Sequence, residues 1–138
     1  MIVSLDYEEL SSLRDGAELA LEPAPQGGAV AAPTAEQACL EALRTTEGDL
    51  SLTTLAEQQE AQRAIGRILL AARERMDVLV LAQYVGSDDA VNAYFDYAHV
   101  LTVLERVRVV GRRMSAIIEL VTGHPPTSES SVDVTFPD

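Results

Sequence analysis

The stretch that decides the fold runs from Thr54 to Thr122, TLAEQQEAQRAIGRILLAARERMDVLVLAQYVGSDDAVNAYFDYAHVLTVLERVRVVGRRMSAIIELVT. Ala61, Ile65, Ile68, Ala72, Met76 and Leu79 recur at steps of three and four, and only Gln83 breaks the stripe. That spacing is one face of a helix. Gly86-Ser87-Asp88-Asp89 then supplies a C′ glycine followed by N-cap candidates. A second stripe follows: Val91, Tyr94, Ala98, Leu101, Leu104, Val107 or Arg108, Gly111, Met114, Ile118 and Val121. Gly123-His124-Pro125-Pro126 ends it. The pattern predicts two helices, over 54–85 and 89–122, each about 50 Å long at 1.5 Å per residue. Joined by a tight turn, they form an antiparallel hairpin.

A competing reading takes Asp77–Leu81 and Val107–Val110 as β-branched strands of a small α/β sheet with Ile2–Leu5 and Val132–Phe136. The flanking Ala, Arg, Glu, Gln and Met runs favour helix, and no turn residues interrupt Thr54–Val85. The expected class is therefore all-α.

Upstream, Ile2–Leu5 reads as a short strand. Asp6 is a good N-cap with Glu9 three residues later, and Leu10, Leu13, Ala17 and Leu21 form the apolar side of a helix. Pro23 and Pro25 stop that helix, and 23–33 (PAPQGGAVAAP) has a linker's composition. A short helix follows, with Thr34 as N-cap and Ala38, Leu40 and Leu43 on its apolar side; it ends near 45–48. LSLTTLAE (50–57) echoes VSLDYEEL (3–10), so the two short segments are candidates to pair as strands. The division expected is an acidic strand–helix arm (1–22), a linker (23–33), a hairpin domain with a short leading helix (34–122) and an acidic Ser-rich tail (123–138). The tail's alternating Val132, Val134 and Phe136 suit an edge strand, but its composition favours disorder.

Composition narrows the function. The 138 residues carry 22 acids and 10 bases, a net charge of −12, and every base is arginine. Residues 1–53 hold a net −8, 54–122 a net −1 and 123–138 a net −3. So acidic a chain is a poor general coat for nucleic acid. No uncharged run approaches the ~20 residues of a membrane span. MIVSLDYEEL lacks the basic and apolar regions of a secretory signal. One cysteine, Cys39, forms no internal disulfide. A cytoplasmic protein is expected.

The second helix packs Val100, Leu101, Val103, Leu104, Val107, Val109 and Val110 into eleven residues, more than one partner helix can hide. The N-terminal helices could complete a four-helix bundle. They are short, acidic and tethered, which favours instead a coiled-coil-like homo-oligomer, dimer or higher, joined through Val100, Val103, Leu104, Val107 and Val110.

Two polar groups suggest chemistry. Asp96-x-x-His99 puts a carboxylate and an imidazole on one helix face, and in a hairpin whose facing residues sum to about 175, Glu74 and Asp77 lie within a turn of them. Those four are candidate ligands for a divalent metal, as in carboxylate-bridged bundles. The same register brings Arg63 and Arg67 opposite Arg112 and Arg108, with Arg106 and Arg113 nearby. Such a band can hold anions, nucleic acid or the chain's own acidic arm, because guanidinium grips phosphate and carboxylate bidentately. Neighbouring glutamates can also simply pair with it. Tyr84, Tyr94, Phe95 and Tyr97 gather near the turn, as a core plug or a partner hot spot. There is no Gly-x-Ser-x-Gly elbow, P-loop or Gly-x-Gly-x-x-Gly. Cys39 sits among Ala and Leu with no His beside it, and His124 is a helix-terminal residue. The expectation is a non-enzymatic helical scaffold or adaptor without cofactor. The alternatives are a metal-binding bundle, with possible oxidative chemistry, and an anion or nucleic-acid binder.

Overall fold

The computed structural model describes residues 1–22, 34–83, 86–126 and 134–137. The order is β1 (Ile2–Val3), α1 (Tyr7–Leu21), α2 (Ala35–Arg44), β2 (Leu50–Ser51), α3 (Leu55–Ala82) and α4 (Asp88–Thr122). The class is all-α, with a tiny sheet at one pole.

The caps explain where each helix begins. Asp6 accepts from the Glu9 N–H at 2.7 Å while Glu9 accepts from the Asp6 N–H at 3.0 Å, a closed capping box. Thr34 and Gln37 repeat the device at α2. Thr54 caps α3, and Ser87 caps α4. Gly123, at φ 80°, ends α4 in the left-handed conformation that glycine adopts freely. α3 stops at Ala82 with Gln83 as its C-cap, so Gly86 is not the terminating glycine that the sequence suggested. The linker 23–33, Tyr84–Val85 and most of the tail (127–133) lie outside the described residues.

α3 and α4 form the expected antiparallel hairpin, and 77–81 and 107–110 are helical throughout, which removes the α/β alternative. The echoing segments do pair: Ile2 opposes Ser51 and Val3 opposes Leu50, antiparallel. The tail joins this pole. Thr135 bridges Thr54, the Phe136 N–H donates to the Thr53 carbonyl at 2.6 Å, and the Phe136 ring is buried. That end of the tail is therefore ordered against the core.

α1 lies across α3 and α4 on one face of the hairpin, and α2 lies beside it over α3. The core is Leu13 and Ala17 from α1, Leu40 and Leu43 from α2, Ala64, Ile65 and Ile68 from α3, and the inner side of α4. Ala38, expected on the apolar side of α2, is exposed. Gly16 lets α1 approach α3 closely: a Cβ there would overlap Ile68 Cγ2. Glu9 pins α1 to α4. The residue is 4% exposed, and its carboxylate accepts from Arg106 Nη1 at 2.6 Å, while Arg106 also donates to the Ser4 carbonyl.

The inner stripe of α4 is Ala90, Ala93, half-buried Tyr97, Val100, Leu104, Val107, Gly111, Met114 and Ile118, stepping regularly by three and four. Its first half lies one residue away from the expected Val91, Tyr94, Ala98 and Leu101. Small alanines admit the neighbouring helices closely, so the larger side chains turn outward. Val121, at the far end, is exposed.

Candidate functional site: the open face of the hairpin

α1 and α2 cover one face of α3–α4 and leave the other bare. Along the bare face runs a groove of about 850 Å³. Leu55, Gly66, Leu104 and Gly111 contribute to its walls and floor, and Ser115 and Ala116 keep it wide because they are small. Arg63 stands on the α3 side; Arg108 and Arg112 stand on the α4 side. Arg63 donates to Glu60 and Arg108 to Glu105, each within its own helix. Arg112 has no ion-pair or hydrogen-bond partner among the described residues. Three of the four docking arginines expected from sequence thus share one groove.

The fourth, Arg67, turns to α2 and donates to Glu36 at 2.8 Å. With Arg106–Glu9 it anchors the acidic N-terminal layer. The acidic arm (1–22) is received by Arg106, through Glu9 on the covered side, and by none of the four expected docking arginines among the described residues.

Within the groove, Gln58 is buried and its amide donates to the Val107 carbonyl at 3.0 Å and to Gln62 Oε1 at 2.9 Å. Gly111 makes room for it, since a Cβ there would overlap the Gln58 amide. Gln58 therefore meets 107–111, closer to the hairpin tip than the residue 117 that the expected register gave. Gly66 is different. A Cβ on it would touch nothing within 4 Å. A mid-helix glycine costs about 1 kcal/mol relative to alanine, and no contact among the described residues requires it.

Steps of three, four and seven carry the same face toward the hairpin tip, through Leu70 and Leu81 on α3 and Leu101 and Tyr94 on α4. All four are exposed, Leu81 to 88%. Asp77 lies on the same face.

Of the five residues expected to join copies, only Leu104 lines this groove. Val100, Val103, Leu104, Val107 and Val110 are all buried within the single chain, as core between α4 and the helices packed on it. Their burial corrects the expected interface: packing within the one chain uses up this surface, and Leu70, Leu81, Tyr94 and Leu101 are among the large apolar side chains left exposed.

The four candidate metal ligands are not assembled either. Glu74 and Asp77 are exposed on α3. Asp96 and His99 turn instead to α1, which offers a buried hydroxyl and a carboxylate. Ser12 Oγ donates to Asp96 Oδ1 at 2.8 Å and lies 3.0 Å from His99 Nδ1; His99 Nε2 is 3.7 Å from Glu8 Oε2, and Phe95 stacks on the imidazole. A hydroxyl has one proton, and the carboxylate takes it. Hydrogen-bond satisfaction then assigns a proton to Nδ1, donated to Ser12 Oγ. The group works as a clasp between α1 and α4, with the Ser12 proton directed to Asp96 rather than to His99. Among the described residues, no group of three or more His, Cys, Asp and Glu side chains has the geometry to hold a metal ion.

Cys39 is half-buried on α2, and its thiol is pushed up from the ordinary range, first by burial and then by the Glu60 and Glu36 carboxylates. Iodoacetamide at mildly alkaline pH is expected to label the folded chain more slowly than the chain in urea. Because folding favours the neutral thiol, the same shift makes folding less favourable as pH rises through the thiol range. Equal labelling rates would contradict both statements.

No helix among the described residues is long and apolar enough to cross a membrane. Compared with known proteins, the chain matches no family model, no curated protein and no solved structure.

Proposed function

We propose that the chain is a non-enzymatic helical scaffold or adaptor that works by protein–protein contact through the open face of α3–α4. The observation that supports this reading is the one-sided covering of the hairpin. One face is sealed by α1 and α2; the other keeps a groove and the exposed Leu70, Leu81, Tyr94 and Leu101. Large side chains clustered on one surface mark interaction sites more often than scattered ones do. A partner seated there would complete a layered helical bundle. Further copies of this chain and other proteins are both eligible occupants. A reducing, cytoplasmic setting suits the single free thiol.

The test is site-specific photo-crosslinking in the native host, with a photoreactive residue at Gln59, Leu70 or Leu101 on the open face and at Ala38 or Glu47 elsewhere. Discrete adducts from the three open-face positions alone are expected. Adducts from all positions alike, or from none, would overturn the reading.

A further inference from the structure

We propose that the occupant of the groove is an acidic amphipathic helix of a partner protein. The inference rests on the adaptor reading and adds the chemistry of what is bound.

The first observation is charge. The molecule carries −12 overall, yet the groove is flanked by Arg63, Arg108 and Arg112, with Glu119 the one acid among its lining residues. Arg112 is unpaired among the described residues, and Arg73, one turn or two along the same face, is too. Arginine on both sides of a cleft receives carboxylates well, through its two-pronged donor geometry. A nucleic acid would meet the same arginines through its phosphates. It would, however, leave the apolar half of the face wet.

The second observation is Gly66. It lies on the groove, a side chain there would meet only open space, and its presence weakens α3. Its use is to let another backbone come close. A helix laid along the groove would rest on Gly66 and Ser115, insert apolar anchors beside Leu55 and Leu104, and continue over Leu70 and Leu101 toward the tip. Anchors on such a ligand recur at i, i+3, i+4 and i+7, as in other helix-in-groove complexes. Its flanking positions carry Glu or Asp opposite the arginines.

A second copy fits less well. Pairing two open faces side by side in parallel sets arginine against arginine. The acidic stripe that the chain itself exposes on α1, Glu8, Asp15 and Glu18, lacks the apolar anchors the groove asks for.

The test uses the full chain and two synthetic helical peptides of about six turns, with identical leucine anchors and either Glu or Lys on the flanks, read by fluorescence anisotropy. The Glu peptide is expected to bind saturably, more weakly as salt rises, and the Lys peptide not to bind. Arg108→Glu with Arg112→Glu should weaken binding by about tenfold or more, the range typical of lost interfacial charge pairs. Gly66→Leu should abolish binding while the melting temperature holds or rises, which separates blocking from misfolding. Equal binding of both peptides, or none of the Glu peptide, overturns the proposal. So does a single-stranded oligonucleotide that binds more tightly in the same groove, or a homodimer of the free chain broken by Gly66→Leu. If open-face crosslinks form while the Glu peptide fails, the occupant is wrong and the adaptor reading stands; if neither occurs, both fall.

Discussion

Replacing Gly16 by valine is expected to destabilise the chain by about 3 kcal/mol, at the upper end of overpacking costs. Gly16 faces Ile68, and even a Cβ at that position would overlap Ile68 Cγ2. Both residues are buried where α1 crosses α3, so neither side chain can swing into solvent. The helices must separate, and contacts of Leu13 and Ala17 with the core loosen with them. At about 3–4 °C per kcal/mol for a chain of this size, the loss is about 10 °C in melting temperature. Gly66→Ala is the matched control. It puts a methyl into open space in the interior of α3 and should raise stability by up to about 1 kcal/mol. Opposite signs from two glycine substitutions in packed helices would show that one glycine serves the fold and the other does not. A destabilising Gly66→Ala would assign both to the fold.

The second large effect belongs to the tail. Phe136→Ala should cost about 3 kcal/mol, the low end for deleting a buried phenylalanine. The ring is 5% exposed and belongs to the core cluster at the pole where β1, β2 and the start of α3 meet. Urea unfolding of the variant measures the cost directly. A loss below about 1 kcal/mol would mean that the ring contributes little to the core. Far-UV circular dichroism in buffer should be unchanged, since the ring closes one end of the core and is part of no helix.

Much of this architecture was legible in the chain. The hairpin, its antiparallel sense, the capping box at Asp6, the N-cap at Thr34 and the pairing of the two short segments all follow from local chemistry or from periods of three and four. What escaped was non-local. Val100 and its neighbours looked like a surface for another copy because nothing in the sequence says that α1 lies across them. That placement depends on the Gly16–Ile68 approach and on Glu9 reaching Arg106, pairs separated by tens of residues. Asp96 and His99 resembled metal ligands for the same reason: i and i+3 spacing reveals that they share a face, and not that Ser12 waits opposite. Phe136 was readable as part of a strand pattern, but its partner, Thr53, was not. The arginine band was legible in part. Arg108 and Arg112 share a face of α4 by their four-residue spacing, while Arg63 joins them only through the packing of α3 on α4, and Arg67 needed the position of α2 to reveal Glu36. Gly66 carries a signal that a sequence reader can use, a glycine inside a strong helix, but only the empty space beside it gives the signal a meaning.

The buried amide of Gln58 has a consequence for how α3 and α4 find each other. The inner stripe of α4 repeats so evenly that sliding α3 along it by seven residues would offer nearly the same apolar surface. Such a seam has translational degeneracy, and hydrophobic burial alone separates its alternatives poorly. Gln58 lifts the degeneracy. Its amide fits only where a residue without a side chain leaves space and a backbone carbonyl accepts, and Gly111 is the one glycine in α4. Every slipped alignment strands a polar group in an apolar interface. A single side chain thus acts as the origin of the ruler, fixing which residues of the two long helices stand side by side, and so which of their outward residues, Arg63 and Arg108 among them, share one groove.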